Sequence, residues 1–353
     1  MRELLYKMLE TPSPSGSELR LQKLIINEMK QISDKVITHH NYNVINVINS
    51  ESPTKILLCG HIDEIGLYVE KIENNGTCKV TNAGGVRPYM YAGQHVRVIN
   101  QRNEEIIGVF GYTPKMEDLK VTDLVLDLGT SSKEETEKLI SIGDPIVHIT
   151  NYSLLQNDFL AGRALDDKLG AYIVLETLRK VKEKNTQIGV YASTTVGEET
   201  TGRGAKMAAT LVNPTCAIAI DVSYATDINY RENLTGDTSL GKGPILTRGS
   251  LMNPIIHEKL MSCAKKLGIN IQLDIATSRS YTDADDMYDK CLGIPTYLIS
   301  IPLRYMHSSV EVCSMKDVEE IIDLLVEFIM TFDPKTNFDP FNREWLWKRY
   351  LIY

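Results

Sequence analysis

The sequence predicts an α/β protein: a mostly parallel sheet flanked by helices, with a small β-barrel-like domain inserted near its start. Three observations carry this. Strand-like and helix-like segments alternate at both ends of the chain. A block of short β-rich runs breaks that alternation between residues 64 and 157. Acids and histidines stand at the ends of several apolar runs. Strands that alternate with helices imply a sheet covered on both sides, which binds ligands at the carboxyl ends of its strands.

Taken in order, Ser17 is placed to cap a helix whose Leu21, Leu24, Ile25, Met29 and Ile32 follow helical spacing. Residues 43–48 and 55–59 read as strands, the second a continuous apolar run of the kind buried on both faces. It stops at Gly60-His61. The block that follows contains IGLYVEKI, CKVTNA, HVRVIN, EIIGVFGY, LVLDLG and DPIVHIT, divided by Gly- and Asn-rich breaks and by one short helix near 133–140. The α/β rhythm then resumes with helix 167–184, strand 188–196, helix 202–211 and strand 216–221. Helix 255–267, strand 270–276, helix 282–291 and strand 296–301 complete it. Ser314 to Asp317 resembles a capping box, with Asp in place of Glu, opening a last helix whose Val318, Ile321, Ile322, Leu325 and Ile329 form one apolar face. The domain reading is therefore 1–63 with 158–353 as one α/β unit, 64–157 as the insertion, and 332–353 as an aromatic extension carrying Phe338, Phe341, Trp345, Trp347 and Tyr350. An exposed apolar tail is a liability, so it is expected to pack on its own subunit or a neighbour.

Composition excludes several classes. The chain has 353 residues, 43% hydrophobic and 24% charged, which suits a folded protein rather than a disordered one. A net charge of -8 disfavours nucleic acid as a partner, because that binding needs Lys and Arg against phosphates. No stretch approaches a membrane span, and MRELLYKMLE lacks a continuous apolar core, so a cytoplasmic location is expected. The six cysteines form no Cys-x-x-Cys pair and read as reduced core residues.

Chemistry concentrates in five places: His61 with Asp63, Asp166-Asp167, Glu198-Glu199, Asp221 and His307. Each alone has an ordinary reading: a surface acid, a helix N-cap, a solvated pair or a loop histidine. Together they place acids and histidines around one edge of one sheet. Glu198 and Glu199 leave a strand pointing to different sides, so one can bind a cation while the other faces the reacting group. Asp63, two residues after His61, can accept the second ring N–H of a ligand histidine and set its tautomer. Mixed nitrogen and oxygen donors without sulfur suit two divalent ions, zinc, cobalt or manganese. Either member of Asp166-Asp167 fits this reading.

The order His-x-Asp, Asp, Glu-Glu, Asp, His resembles that of the co-catalytic metallopeptidases. Gly60 to Gly66, Ala161 to Asp167, Thr195 to Glu199 with Arg203 to Ala205, Gly241 to Pro244, Thr282 to Ala284 and Arg304 to Ser308 resemble the tetrahedral aminopeptidases, which include glutamyl and deblocking aminopeptidases and relatives labelled cellulases. The early position of the insertion, between His61 and Asp166, favours this type over aminoacylase-like enzymes. The resemblance implies that His61 and Asp221 hold one ion, Glu199 and His307 the other, and Asp166 bridges them. It further implies that Asp63 orients His61 and that Glu198 is the general base acting on a metal-activated water, releasing N-terminal residues from short peptides. It implies a barrel or PDZ-like insertion through which subunits dimerise, and a homo-oligomer that can reach a tetrahedral dodecamer. Ser280-Tyr281, Gly197 and Thr200-Thr201 depart from the family pattern around the substrate pocket. Two other classes stay open: a metal-independent, endoglucanase-like glycoside hydrolase working with two carboxylates, and a non-catalytic binding protein on the same fold.

Overall fold

The central strands are runs of β-branched and aliphatic residues with no polar alternation, and such runs are stable only when both faces are covered. In the computed structural model, which describes residues 2–112, 118–228 and 236–339, they form an eight-stranded sheet. Its strands are Lys35–Thr38 (β1), Val44–Ile48 (β2) and Lys55–His61 (β3), then Gly189–Thr195 (β12), Cys216–Tyr224 (β13), Ile245–Gly249 (β14), Gln272–Ala276 (β15) and Thr296–Leu303 (β16). Between them in sequence lie Gly66–Ile72 (β4), Cys78–Ala83 (β5), His95–Ile99 (β6), Glu105–Phe110 (β7), Val125–Asp127 (β8) and Pro145–His148 (β9), followed by Tyr152–Leu154 (β10) and Phe159–Gly162 (β11). Glu311–Ser314 is β17. The sheet order is β1-β2-β12-β3-β13-β16-β14-β15, with parallel pairing through its centre from β12 to β16. Strands β4 to β9 close into a six-stranded barrel in the order β4-β5-β8-β7-β6-β9, and β10, β11 and β17 make a small third sheet. The barrel has its own core, built on residues such as Leu67, Val80, Val98, Phe110 and Leu126.

The helices are Glu3–Glu10 (α1), Leu19–Met29 (α2), Lys133–Glu137 (α3), Leu165–Glu183 (α4), Arg203–Val212 (α5), Pro254–Leu267 (α6), Asp283–Tyr288 (α7) and Met315–Met330 (α8). Helix α4 packs along β3, β12 and β13 and against α8, while α5 and α7 pack on each other and on the sheet. The apolar face of α8 is buried as its spacing predicts, at Val318, Ile321, Ile322, Leu325 and Ile329. Each such side chain contributes about 1.5–3 kcal/mol on burial. The aromatic extension is described only at its start, where Phe338 packs near Phe332 with ring centroids 6.1 Å apart. Phe341, Trp345, Trp347 and Tyr350 lie outside the described residues.

Two expected caps are not made. Ser17 does not cap α2; the N-cap is Glu18, whose carboxylate accepts the Gly16 N–H at 2.8 Å. Ser314 is the N-cap of α8 but makes no side-chain cap, and Asp317 accepts the N–H groups of Gly241 and Gly243 at 2.7 and 2.8 Å. Asp317 has loop amides within reach and takes them instead of completing the capping box. Strand β13 also runs on to Tyr224, so Asp221 sits inside the strand rather than at its last residue.

The approach of α4 to β3 positions the site, because it brings the start of α4 beside the end of β3. A Cβ on Gly60 would collide with the backbone of Gly170 and Ala171, so a side chain there forces the helix away. Gly60→Ala is expected to lower stability by about 1–3 kcal/mol or more, read as a shift in the chemical denaturation midpoint. An unchanged midpoint would contradict this close packing.

Candidate active site

Strand β3 ends on His61, and the turn after it carries Asp63 back beneath the ring. The His61 Nδ1 lies 3.0 Å from the Asp63 carbonyl oxygen and 3.5 Å from its Oδ1, so the main chain and the carboxylate of Asp63 both hold this edge of the ring. That leaves Nε2 for the cleft. The Asp63 carboxylate is buried and also accepts the N–H groups of Glu198 and Glu199 at 3.1 and 3.3 Å. One acid thus ties the end of β3 to the turn after β12. That turn needs Gly197: its φ is +67°, and a Cβ there would strike the Arg203 guanidinium.

The two acids at the start of α4 part company. Asp167 accepts the His61 N–H at 3.1 Å and the Gly170 N–H at 2.9 Å, so it caps the regular part of the helix and braces the end of β3. Asp166 faces the cleft instead. Its Oδ1 is 3.2 Å from His61 Nε2, and its Oδ2 is 3.2 Å from His307 Nε2. Glu198 Oε2 lies 3.8 Å from His61 Nε2, and Glu199 Oε2 lies 3.6 Å from His307 Nε2. Two sets of donor atoms result, one from His61, Asp166 and Asp221 and one from Asp166, Glu199 and His307. Within each set all atoms lie within 4.8 Å of one another.

Two groups that support this arrangement carry no expectation from the sequence. Glu311, buried at the start of β17, accepts the His307 N–H at 2.8 Å and the Asp166 N–H at 3.2 Å. It holds His307 in a left-handed conformation, φ +63°, that a non-glycine residue rarely adopts. Its signal was present, an acid beside an apolar run four residues after His307, but at the opening of a strand rather than its end. The second group is the Gly85 carbonyl of the barrel, 3.2 Å from His307 Nδ1, which no side-chain pattern announces. A third brace is the buried Glu64, which meets Arg163 and, at 2.9 Å, Lys168. Burial alone would raise Glu64, yet these two cations hold it down at about 2.

The donor set fits divalent cations on electrostatic grounds. Burial together with neighbouring acids raises Glu198, Glu199 and Asp221 well above the usual carboxylate range. Burial also disfavours the charged form of His61, but its contacts to Asp166 and Asp63 outweigh that and raise the imidazole well above its ordinary value. Four clustered acids against two imidazoles form a site short of positive charge, and imidazole with carboxylate is a donor set that zinc, cobalt and manganese accept. The cluster lines a cleft of about 670 Å³ together with Tyr281, Thr282 and Met306.

The chain is similar to known proteins over most of its length. Residues 43–324 match the model of the M42 glutamyl aminopeptidase family. The chain is 32% identical over 343 residues to a lysyl aminopeptidase of Pyrococcus furiosus, covering 94% of this chain and 97% of that protein. Its fold superposes on a TET aminopeptidase from a marine sediment archaeon, Thaumarchaeota archaeon SCGC AB-539-E09, with a TM-score of 0.88 at 30% identity, covering 94% of this chain and 96% of the other. A TET1 peptidase of Pyrococcus horikoshii that assembles into a tetrahedron or a large octahedral shell superposes with a TM-score of 0.83 at 30% identity, covering 94% and 99% of the two chains. With a match over most of its length and a cluster of candidate metal ligands in its cleft, the chain belongs to the M42 glutamyl aminopeptidase family, metallopeptidases that hydrolyse peptide bonds.

Proposed function

We propose that the protein is a dinuclear metal-dependent aminopeptidase that removes N-terminal residues from short peptides. The observation that carries this is the Asp166 carboxylate, which offers one oxygen to the His61 side and the other to the His307 side. In this reading His61 and Asp221 would hold one ion and Glu199 and His307 the other, with Asp166 serving both. Zinc, cobalt or manganese would serve. Bound ions supply Lewis acidity: they polarise the scissile carbonyl, acidify the attacking water and balance charge developing on oxygen.

The chain's own groups do the rest. Glu198 has no ligand role here. Its partly exposed carboxylate faces the cleft, takes the proton of the attacking water at Oε2 and returns it to the leaving amine. Asp63 positions His61 and, through the amides of Glu198 and Glu199, the base as well. The acidic floor complements the ammonium of a free N-terminus, which limits cleavage to the first residue. A purely carboxylate glycosidase has no use for two imidazoles inside the acid cluster. The relative that builds a tetrahedron supports a homo-oligomer, with the barrel domain, 64–157, as its dimerisation unit. Six free cysteines, five of them buried, support a reducing cytoplasmic location.

Three outcomes are expected. Glu198→Gln should lower kcat by about 10²–10⁴ while metal content, measured by atomic absorption, stays the same; full activity would remove Glu198 as the base. Chelation should abolish peptide hydrolysis, and zinc, cobalt or manganese should restore it, whereas hydrolysis that survives chelation would contradict the metal requirement. Glu311→Gln should loosen the His307 side and weaken metal affinity by about 10–100-fold, read by competition with a chromophoric chelator. Unchanged affinity would reduce Glu311 to a fold-stabilising role.

A further inference from the structure

The turn that carries Glu198 and Glu199 is held by two groups. One is Asp63, which accepts both of their amides. The other is Arg203, a residue the proposed chemistry leaves without a role, whose side chain folds back from the start of α5 onto the turn. A Cβ built on Gly197 would lie 2.1 Å from Arg203 Nη1 and 2.3 Å from Cζ, so the guanidinium fills the space where a side chain would stand. Its Nη1 donates to the Thr201 hydroxyl at 3.3 Å and lies 3.5 Å from that of Thr200.

Arg203 is itself anchored. Its Nη2 donates to Glu18 Oε1 at 3.2 Å, and the Glu18 side chain is fully buried while that of Arg203 is 34% exposed. Burial and the nearby Asp63 push the Glu18 carboxyl up to about 7, and Arg203 opposes both. A buried acid without such a partner is costly. The residues around Glu18 reach the same turn, since Ser15 Oγ and Thr200 Oγ1 share a hydrogen bond at 2.9 Å. They are fixed in their turn: the Ser13 N–H donates to Glu64 Oε1 at 2.8 Å, the Ser15 N–H to the Glu64 carbonyl at 3.0 Å, and the Tyr68 hydroxyl to the Ser15 carbonyl at 2.8 Å. The turn is therefore moored to residues 13–18, and through them to the buried Glu64 brace. A planar guanidinium can lie against Gly197 and still fork between Glu18 and the threonines, which the single ammonium of a lysine cannot do.

Mooring bears on chemistry because a general base works only within hydrogen-bond reach of its proton. We propose that Arg203, anchored by Glu18, is a positioning residue for the reaction: it holds the turn from Gly197 to Thr201 so that Glu198 presents its carboxylate to the cleft. The proposal rests on the aminopeptidase reading above, with Glu198 as the base. The test uses the full chain at saturating metal, the aminoacyl p-nitroanilide that the wild type cleaves fastest, and the chemical denaturation midpoint of each preparation. Arg203→Ala should lower kcat about ten- to a hundredfold with KM little changed. Because Arg203 is partly exposed, added guanidinium ion can reach the vacated space, and it should raise kcat of Arg203→Ala but not of the wild type. Glu18→Gln should lower kcat in the same direction and gain nothing from guanidinium, since its Arg203 is still in place. An unchanged kcat in Arg203→Ala, a loss confined to KM, or a loss that follows the denaturation midpoint and that guanidinium does not reverse overturns the assignment while leaving the aminopeptidase intact. Should Arg203→Ala fail to fold, Glu18→Gln decides, and a wild-type kcat there overturns it. Failure of the wild type to cleave any aminoacyl p-nitroanilide, with metal restored, refutes the aminopeptidase reading and this assignment with it.

Discussion

One carboxylate, Asp166, lies between two imidazoles, one at the end of β3 and the other in the loop between β16 and β17. The neighbourhood is otherwise acidic, and buried acids at close range repel one another and resist ionisation. A fold keeps such a cluster only if something outside it enforces the geometry. Here the enforcement is main-chain hydrogen bonding: Asp63 takes the amides of Glu198 and Glu199, Asp167 that of His61, and Glu311 those of His307 and Asp166. These bonds join the segments that carry His61, Asp166, Glu198 and His307 into one framework, while Asp221 is held by its place in β13. Delivery of positive charge into it relieves the repulsion, and metal affinity and stability should rise together.

The framework is built by the core rather than by the site. Gly60 lets α4 lie against β3, Gly197 turns the chain sharply after β12, and the buried Glu64 joins Arg163 and Lys168 behind the cluster. The barrel contributes the Gly85 carbonyl against His307. The insertion is thus in contact with a group that the proposed mechanism uses. A change in how the barrel sits would reach the His307 side before the His61 side.

Much of this was legible in the residues. Continuous apolar runs gave the central strands, and all six barrel strands fall on the β-rich runs between Ile65 and Thr150. The acids and histidines the structure gathers are those that stood near strand ends. What stayed hidden depended on partners distant in sequence. Nothing local separates Asp166 from Asp167; the separation comes from the His61 amide, which claims Asp167. Glu311 looks like any acid opening a strand until the amides it accepts are seen. The capping box at α8 failed for the same reason, since Asp317 found loop amides that no local motif reveals.

The sharing of Asp166 between two ions is the claim on which the proposed chemistry depends. Anomalous diffraction from crystals of the full chain grown with zinc tests it most directly. Two scattering peaks are predicted, each bonded to a different oxygen of Asp166, one also bonded to His61 and Asp221 and the other to Glu199 and His307. A single peak, or peaks that leave Asp166 unligated, would contradict the account.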